Sequence, residues 1–245
     1  MVGTVIAKVA GSALGATYTM PAADGAAGTY LKTDGSTNLS FGAIAAAGFD
    51  RVTYITATDT TWDFQSTTTK AIIEVQASGG TAGSQDSPGY NGGGGGAGAY
   101  ARKTLTGLTG STDKLNITIG AVVGIGATGS TTSVAQAGTA SFTTITCDGG
   151  DGGVTATGTA QAGGVGGAVP TTGDFNIAGG NGCGGQLATA PGGQSFLGIG
   201  NYKNTPGSSV GPAPCGYGSG GTGAAGYSQP GGAGGPAIVI VWEFK

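Results

Sequence analysis

Two short stretches carry residue types at spacings that chemistry uses. Residues 124–129 (GIGATG) fit Gly-x-Gly-x-x-Gly, whose backbone N–H groups cradle phosphate when a strand precedes and a helix follows. Residues 147–153 (CDGGDGG) set Asp148 and Asp151 three apart, a spacing open to a calcium loop or carboxylate chemistry. Neither reads as a site. At this glycine density about four Gly-x-Gly-x-x-Gly matches arise by chance, and the following STTSVAQAG is a poor helix. The two aspartates read more simply as parts of polar turns. The chain has no histidine, so Ser-His-Asp and Cys-His arrangements are impossible, and zinc would need an unusual ligand set. Cys147, Cys183 and Cys215 are far apart, form no C-x-x-C and give no disulfide framework. They read as small thiols in tight turns or packed positions. Nothing marks the paired acids of a glycosidase. No enzymatic activity, cofactor or metal is expected.

What remains is recognition chemistry. Bulky residues punctuate the glycines at 174–176 (DFN), 196–197 (FL), 202–204 (YKN), Tyr217 and Tyr227. Exposed aromatics beside amides suit sugars or protein loops, because they offer rigid contact area at low entropy cost. Asp174, Asn176, Tyr202, Lys203, Asn204, Tyr217 and Tyr227 are therefore the candidate binding residues. Phe175, Phe196 and Leu197 read instead as seals between the glycine region and neighbouring strands. No basic stripe with interleaved aromatics is present, and nine basic against twelve acidic residues give a net charge of −3, so nucleic acid is not an expected partner. No run approaches the roughly 20 apolar residues of a spanning helix, so membrane insertion is not expected either. The opening stretch lacks a basic n-region and is interrupted by Lys8, so it does not read as a cleaved signal peptide.

The elements that must position these residues are unusual. Only eight of 56 glycines fall in the first 78 positions, leaving 48 in the last 167. The glycine region is organised around 90–100, where five consecutive glycines (Gly92–Gly96) lie between Tyr90 and Tyr100. Two architectures compete, a flexible linker and a close-packed array of extended backbones. Apolar runs at Ala71–Ala77, Lys114–Ile119, Thr139–Cys147 and Ala237–Phe244 favour the ordered one. In Lys114–Ile119 the apolar residues alternate, as in a half-buried strand, whereas Ala237–Phe244 is apolar on both faces and reads as a strand covered on both sides. Without a strict Gly-X-Y repeat collagen is excluded, leaving packed threefold polyglycine-type helices held by backbone hydrogen bonds. Gly94→Val should prevent this packing, while Tyr202→Ala should leave folding intact.

The expected fold is mainly β with irregular structure and little or no α-helix. Residues 1–48 form a small β module, and residues 49–245 form a glycine-rich domain of polyglycine-type helices capped by β-strands. Within the first module, Met1–Ala10 suits one strand or a short helix, and Tyr30–Thr33 with Asn38–Phe41 reads as a hairpin around the Asp34-Gly35 turn. Arg51–Thr58 reads as a β-rich strand.

Pro21, Asp24, Gly25, Leu31, Thr33, Asp34, Gly35, Ser36, Leu39 and Ser40 match a unit that recurs in phage tail-fibre proteins, over about 25 residues. The order Thr61-Trp62, Ile72–Gly80, Gly92–Lys103, Leu115–Gly120, Gly231–Phe244 resembles the glycine-rich C-terminal domain found at phage tail-fibre ends. The glycine runs are also similar to those of the distal long-tail-fibre adhesins of T-even-type phages. The first module does not match the attachment domain of those adhesins. The resemblance implies a sandwich of polyglycine-type helices whose loops bind a host cell-surface receptor, protein or glycan. It further implies a trimerising or attachment module, tail-fibre partners, a homotrimer, and a virion component made in the host cytoplasm and acting outside it. A capsid-decorating or fibre-shaft protein without a receptor is the alternative, and an extracellular cell-wall-type glycine-rich protein is disfavoured by the missing export signal.

Overall fold

In the computed structural model the described residues are Pro21, 29–33, 38–43, 48–86, 90–121, 124–139, 141–158, 161–185, 190–200, 215–225 and 228–245. They contain thirteen strands, among them a short antiparallel pair of β11 (Gly198–Ile199) with β12 (Cys215–Gly216), and no α-helix. The chain divides into two compact units, Met1–Ala47 and Gly48–Lys245.

The first unit shows one antiparallel hairpin, β1 (Thr29–Thr33) with β2 (Leu39–Ala43), in register Thr29↔Ala43 to Thr33↔Leu39. Its turn, and Met1–Ala10, lie outside the described residues. Tyr30, Leu31 and Phe41 are exposed on it.

The second unit begins as two stacked antiparallel sheets. The larger has the order β10 (Phe175–Ile177), β6 (Tyr100–Thr106), β5 (Lys70–Gln76), β13 (Ile238–Phe244), β3 (Phe49–Ile55). The smaller has β4 (Asp59–Asp63), β7 (Asp113–Thr118), β8 (Thr132–Gly138), β9 (Ile145–Cys147). Their facing side chains make the core: Ala71, Ile73, Val75, Val239 and Val241 meet Trp62, Leu115, Ile117, Val134 and Ile145. Period-two alternation produces this directly, since every second residue of β5, β7 and β13 turns inward. Among the described residues of the run from Thr139 to Cys147 only the last three are strand, whereas the segment read as a poor helix contains β8.

Beyond the sheets the strands run on into the glycine region. Eight extended segments, PG1 (77–86), PG2 (91–99), PG3 (148–156), PG4 (161–168), PG5 (178–185), PG6 (190–195), PG7 (217–225) and PG8 (228–237), pair through backbone hydrogen bonds. PG1 continues β5, PG3 continues β9, PG5 continues β10, while PG2 leads into β6 and PG8 into β13. PG2 is the centre. Gly93, Gly96 and Ala99 donate to Val154, Asp151 and Asp148 of PG3. Gly94 and Ala97 donate to Cys183 and Gly180 of PG5, and Gly95 and Gly98 to Gly221 and Gly218 of PG7. Its carbonyls accept from PG1 (Gly83 to Gly93, Gly80 to Gly96), PG4 (Gly164 to Gly94, Gly167 to Ala97) and PG6 (Gly193 to Gly95). A donor direction that repeats every third residue is the signature of a threefold helix.

The six neighbours also bond to one another in a closed ring. Gly150 of PG3 donates to PG1, Asp151 of PG3 to PG4, Gly182 of PG5 to PG4, and Gly180 of PG5 to PG6. Gly220 of PG7 donates to PG6 and Gly221 of PG7 to PG1, closing the circle. The packing is hexagonal, with PG8 bound outside against PG1 and PG7. Around PG2 nearly every peptide has a partner, so the lattice meets the accounting demand on buried backbone without a side-chain core.

Candidate functional site

The reversals of this bundle fall at its two ends. PG1–PG2, PG3–PG4, PG5–PG6 and PG7–PG8 all turn at the end away from the sheets, because odd segments leave the sheets and even ones return. Parts of those four turns, 87–89, 159–160, 186–189 and 226–227, lie outside the described residues. Their bases are fixed to each other. Gln85 N donates to Gln229 O at 3.1 Å and Ser228 N to Gln85 O at 2.7 Å, joining the first and last turns. Asp86 N donates to Ala156 O at 3.1 Å, Gly185 N to Gln161 O at 2.7 Å, and Gly223 N to Ala190 O at 2.9 Å. On this rim Asp86, Thr157 and Ser228 are exposed, Tyr90 is 37% exposed, and Gln161 and Gln229 are half-buried. Hydroxyl, amide, carboxylate and one aromatic ring thus stand on a rigid base, which is how binding loops are usually held.

The residues singled out in the sequence are placed differently. Tyr202, Lys203, Asn204 and Tyr227 lie outside the described residues. Asp174 and Asn176 sit at the sheet end, in the connection from PG4 to PG5. Asp174 Oδ2 accepts the Thr104 N–H at 2.7 Å, and its other oxygen lies 3.8 Å from Lys103 Nζ, so the side chain pins β10 to β6. Asn176 closes a local turn, accepting from Gly173 N at 3.1 Å and donating to Gly173 O at 2.9 Å. Tyr217 opens PG7, half-buried, and its carbonyl accepts from Ser195 Oγ. The structure therefore brings Asp174 and Asn176 together as hairpin fasteners. The far-end rim was not visible in the sequence, although regular X-Gly-Gly spacing ending in Asn, Gln, Asp or Tyr was the available signal.

Phe175 and Phe196 do lie at the junction of lattice and sheet, but they close it only from outside. Tyr100, the first residue of β6, is 2% exposed, and Phe196 lies on it with centroids 4.2 Å apart. Phe175 packs edge-on to both, while Phe175 and Phe196 themselves remain 42% and 50% exposed. Beneath them the Tyr100 hydroxyl donates to Glu74 Oε2 at 2.8 Å; burial, then the hydrogen bond to Glu74 and its charge, raise the phenol well above its ordinary range.

The glycine motif at 124–129 is absorbed by the lattice. Gly126 and Gly129 donate to Ala82 and Gly150, Ala127 to Gly124, and a strand rather than a helix follows. Asp148 and Asp151 face outward one turn apart on PG3, each accepting from a threonine, Thr131 and Thr128. No group of three or more acids or thiols suited to a metal occurs among the described residues.

Cys147 and Cys183 separate cleanly. Cys147 is buried in the core, its thiol 3.5 Å from the Val75 carbonyl oxygen, and burial followed by the charge of Asp148 pushes it up to about 12. Cys183 is exposed on PG5. At pH 8 only about one Cys147 in ten thousand is thiolate, the reactive form. Alkylation of the native protein with iodoacetamide should therefore label Cys183 and spare Cys147 until denaturant is added, as peptide mass spectrometry will show. Equal native labelling would mean that the sandwich opens readily.

In the comparisons with known proteins no family model matches the chain, and no curated protein matches it in sequence.

Proposed function

We propose that this chain is a virion tail-fibre tip component that adheres to the host cell surface through loops carried on the far end of the polyglycine bundle. One observation carries the reading: four reversals emerge at one end of a hydrogen-bonded lattice, and their bases are cross-tied while their polar side chains face out. A lattice that stabilises itself through backbone alone leaves the loop sequences free to vary, which suits a surface that must match a receptor. The receptor is a protein or glycan of the host. The first unit, with its β1–β2 hairpin, serves attachment to other fibre proteins or trimerisation, since an isolated two-stranded hairpin is marginal in water. Several copies would convert weak loop contacts into useful avidity.

The test has two arms. An antibody against residues 195–215 should label distal fibre ends of intact particles by immunogold; label spread over the capsid would replace the adhesin by a decoration protein. Fluorescent protein should bind a subset of bacterial strains, and Asp86→Ala with Tyr90→Ala should weaken that binding at least tenfold without moving the melting temperature. Undiminished binding by that variant would remove the far-end rim from the site.

A further inference from the structure

The larger sheet has an outer face that the lattice covers only in part. Its register can be read in rows across β3, β13, β5 and β6. The row nearest the lattice, Ile238, Gln76 and Tyr100, is buried, with Gln76 Nε2 donating to the Gly98 and Ala99 carbonyls at 2.9 and 3.1 Å. In the next three rows only Ile240 is buried and the other residues are half-buried or exposed: Tyr54, Ile240, Glu74, Arg102; then Val52, Trp242, Ile72, Thr104; then Phe49, Phe244, Lys70, Thr106. Phe49 is 56% and Tyr54 62% exposed, and Trp242 and Phe244 are half-buried beside them. The strand expected to be covered on both sides is buried on its outer side at Ile238 and Ile240 and half-covered at Trp242 and Phe244.

This face is built, not merely bare. Phe49 packs against Trp242 and Phe244 with centroids 6.1 and 6.0 Å apart. Trp242 Nε1 donates to Glu74 Oε1 at 2.8 Å, and Tyr100 occupies the other oxygen, so the one carboxylate of these rows is spoken for and the indole is held in place. Two cations stand over rings, Lys70 above Phe244 at 5.7 Å and Arg102 above Phe175 at 5.6 Å. Among the described residues of Gly48–Lys245, Arg51, Lys103, Lys114 and Lys245 are in ion pairs. Lys70 and Arg102, both exposed on this face, are the two that are not. Among the described residues of Gly48–Lys245, the two unpaired cations thus stand around one aromatic strip.

Size decides what that strip can hold. Four strands at about 4.8 Å spacing and three rows along them make on the order of 400 Å². A second protein copy needs roughly 800 Å² from each partner. The patch is too small and flat for a stable protein interface, and its rings suit the C–H faces of sugars, with Tyr54, Thr104 and Thr106 hydroxyls at hand. We propose that the outer face of this sheet is a binding site for an acidic oligosaccharide, stacked on Phe49, Tyr54 and Trp242 with its anionic groups toward Lys70 and Arg102. The site is separate from the far-end rim and does not depend on it.

The experiment titrates the full chain with galacturonate and hyaluronate hexamers, and with the methyl-esterified galacturonate hexamer, which keeps the rings and loses the charge. Trp242 fluorescence and calorimetry report binding. At least one acidic hexamer should bind, at least tenfold better than the ester, and at least tenfold weaker in 0.5 M salt. Lys70→Gln with Arg102→Gln should weaken it tenfold or more, as should Tyr54→Ala, an exposed position where folding is not at risk. Asp86→Ala with Tyr90→Ala should change nothing here, so failure of the rim and failure of this face are told apart. Binding by no hexamer, equal binding of acid and ester, or sedimentation showing a dimer that shields Trp242 would each overturn the proposal.

Discussion

Gly94→Val, expressed beside the wild-type chain, should yield no folded protein: no cooperative thermal transition, and rapid proteolysis within residues 77–237. Gly94 lies mid-way along the central segment of the hexagonal bundle. Its N–H donates to Cys183 O at 2.9 Å, and its carbonyl accepts from Gly164 N at 2.8 Å. A Cβ built there overlaps the Pro191 carbonyl oxygen and comes within 2.8 Å of the Ala190 oxygen. These neighbours are backbone, so no rotamer change can make room. Pushing PG6 outward breaks its bonds to PG2, PG5 and PG7 together, each worth about 1 kcal/mol net and more when the group stays buried. The expected cost is about 5 kcal/mol or more, at the scale of the chain's whole stability. Gly94→Ala should fail nearly as badly, because the overlap begins at Cβ. Val165→Ala provides the control: Val165 is 58% exposed on PG4, so its loss should cost within about 0.5 kcal/mol. A well-folded Gly94→Val protein would mean that the segments are not packed at the separation described.

That contrast explains how far the sequence could be read. Close-packed polyglycine-type helices followed from glycine density and from the apolar runs that interrupt it. The position of each helix did not, yet a code for it is present. The peripheral segments repeat X-Gly-Gly: Asp148, Asp151 and Val154 on PG3, Ala162, Val165 and Ala168 on PG4, Pro230, Ala233 and Pro236 on PG8. On PG3 and PG4 the X residues are exposed and every third glycine or alanine inside is buried. PG2 alone has an unbroken glycine run, because a helix with six neighbours has no outward direction left. The run around which the region was organised is thus central for a physical reason.

Strands were legible where alternation was strong, as in β7, or where β-branched and aromatic residues were dense, as in β3, and missed where small polar residues carried the alternation, as in β8. There Thr132 and Val134 turn inward while Ser133 and Ala135 do not, and hydropathy barely registers the difference. Asp174 and Asn176 stood out as bulky polar residues, but bulk among glycines marks turns as well as contacts, and both side chains are spent on a hairpin. The far-end rim depends on which turns share an end, a property of alternating chain direction that no local window contains.

Arg51→Leu should lower the unfolding free energy by about 2–3 kcal/mol, less than for a fully buried pair because the Arg51 side chain is 34% exposed while Glu243 is wholly buried. The carboxylate concerned, Glu243, is wholly buried one residue from the end of the last strand that pairs. It faces Arg51 across β13 and β3, and Arg51 Nε donates to its Oε2. Its other oxygen accepts from Gln65 N at 2.7 Å and Thr68 Oγ1 at 2.8 Å, in the turn between β4 and β5. One side chain therefore ties the first strand of the sandwich, the last strand and the link between the two sheets. Arg51 is also held by Trp62, 5.2 Å below its guanidinium, and by the Asp63 carbonyl at 3.2 Å. Glu243→Leu should cost a similar amount, because it leaves the Gln65 N–H and Thr68 hydroxyl without an acceptor. The double variant Arg51→Leu with Glu243→Leu should be less damaged than the sum of the two, with a coupling of about 2 kcal/mol or more by denaturant unfolding. Simple additivity would show that the two groups act separately and that the sandwich is closed by its apolar faces alone. Coupling of the expected size would mean that the final strand, and through it PG8 and the outer side of the lattice, is locked by one charge pair with its carboxylate buried.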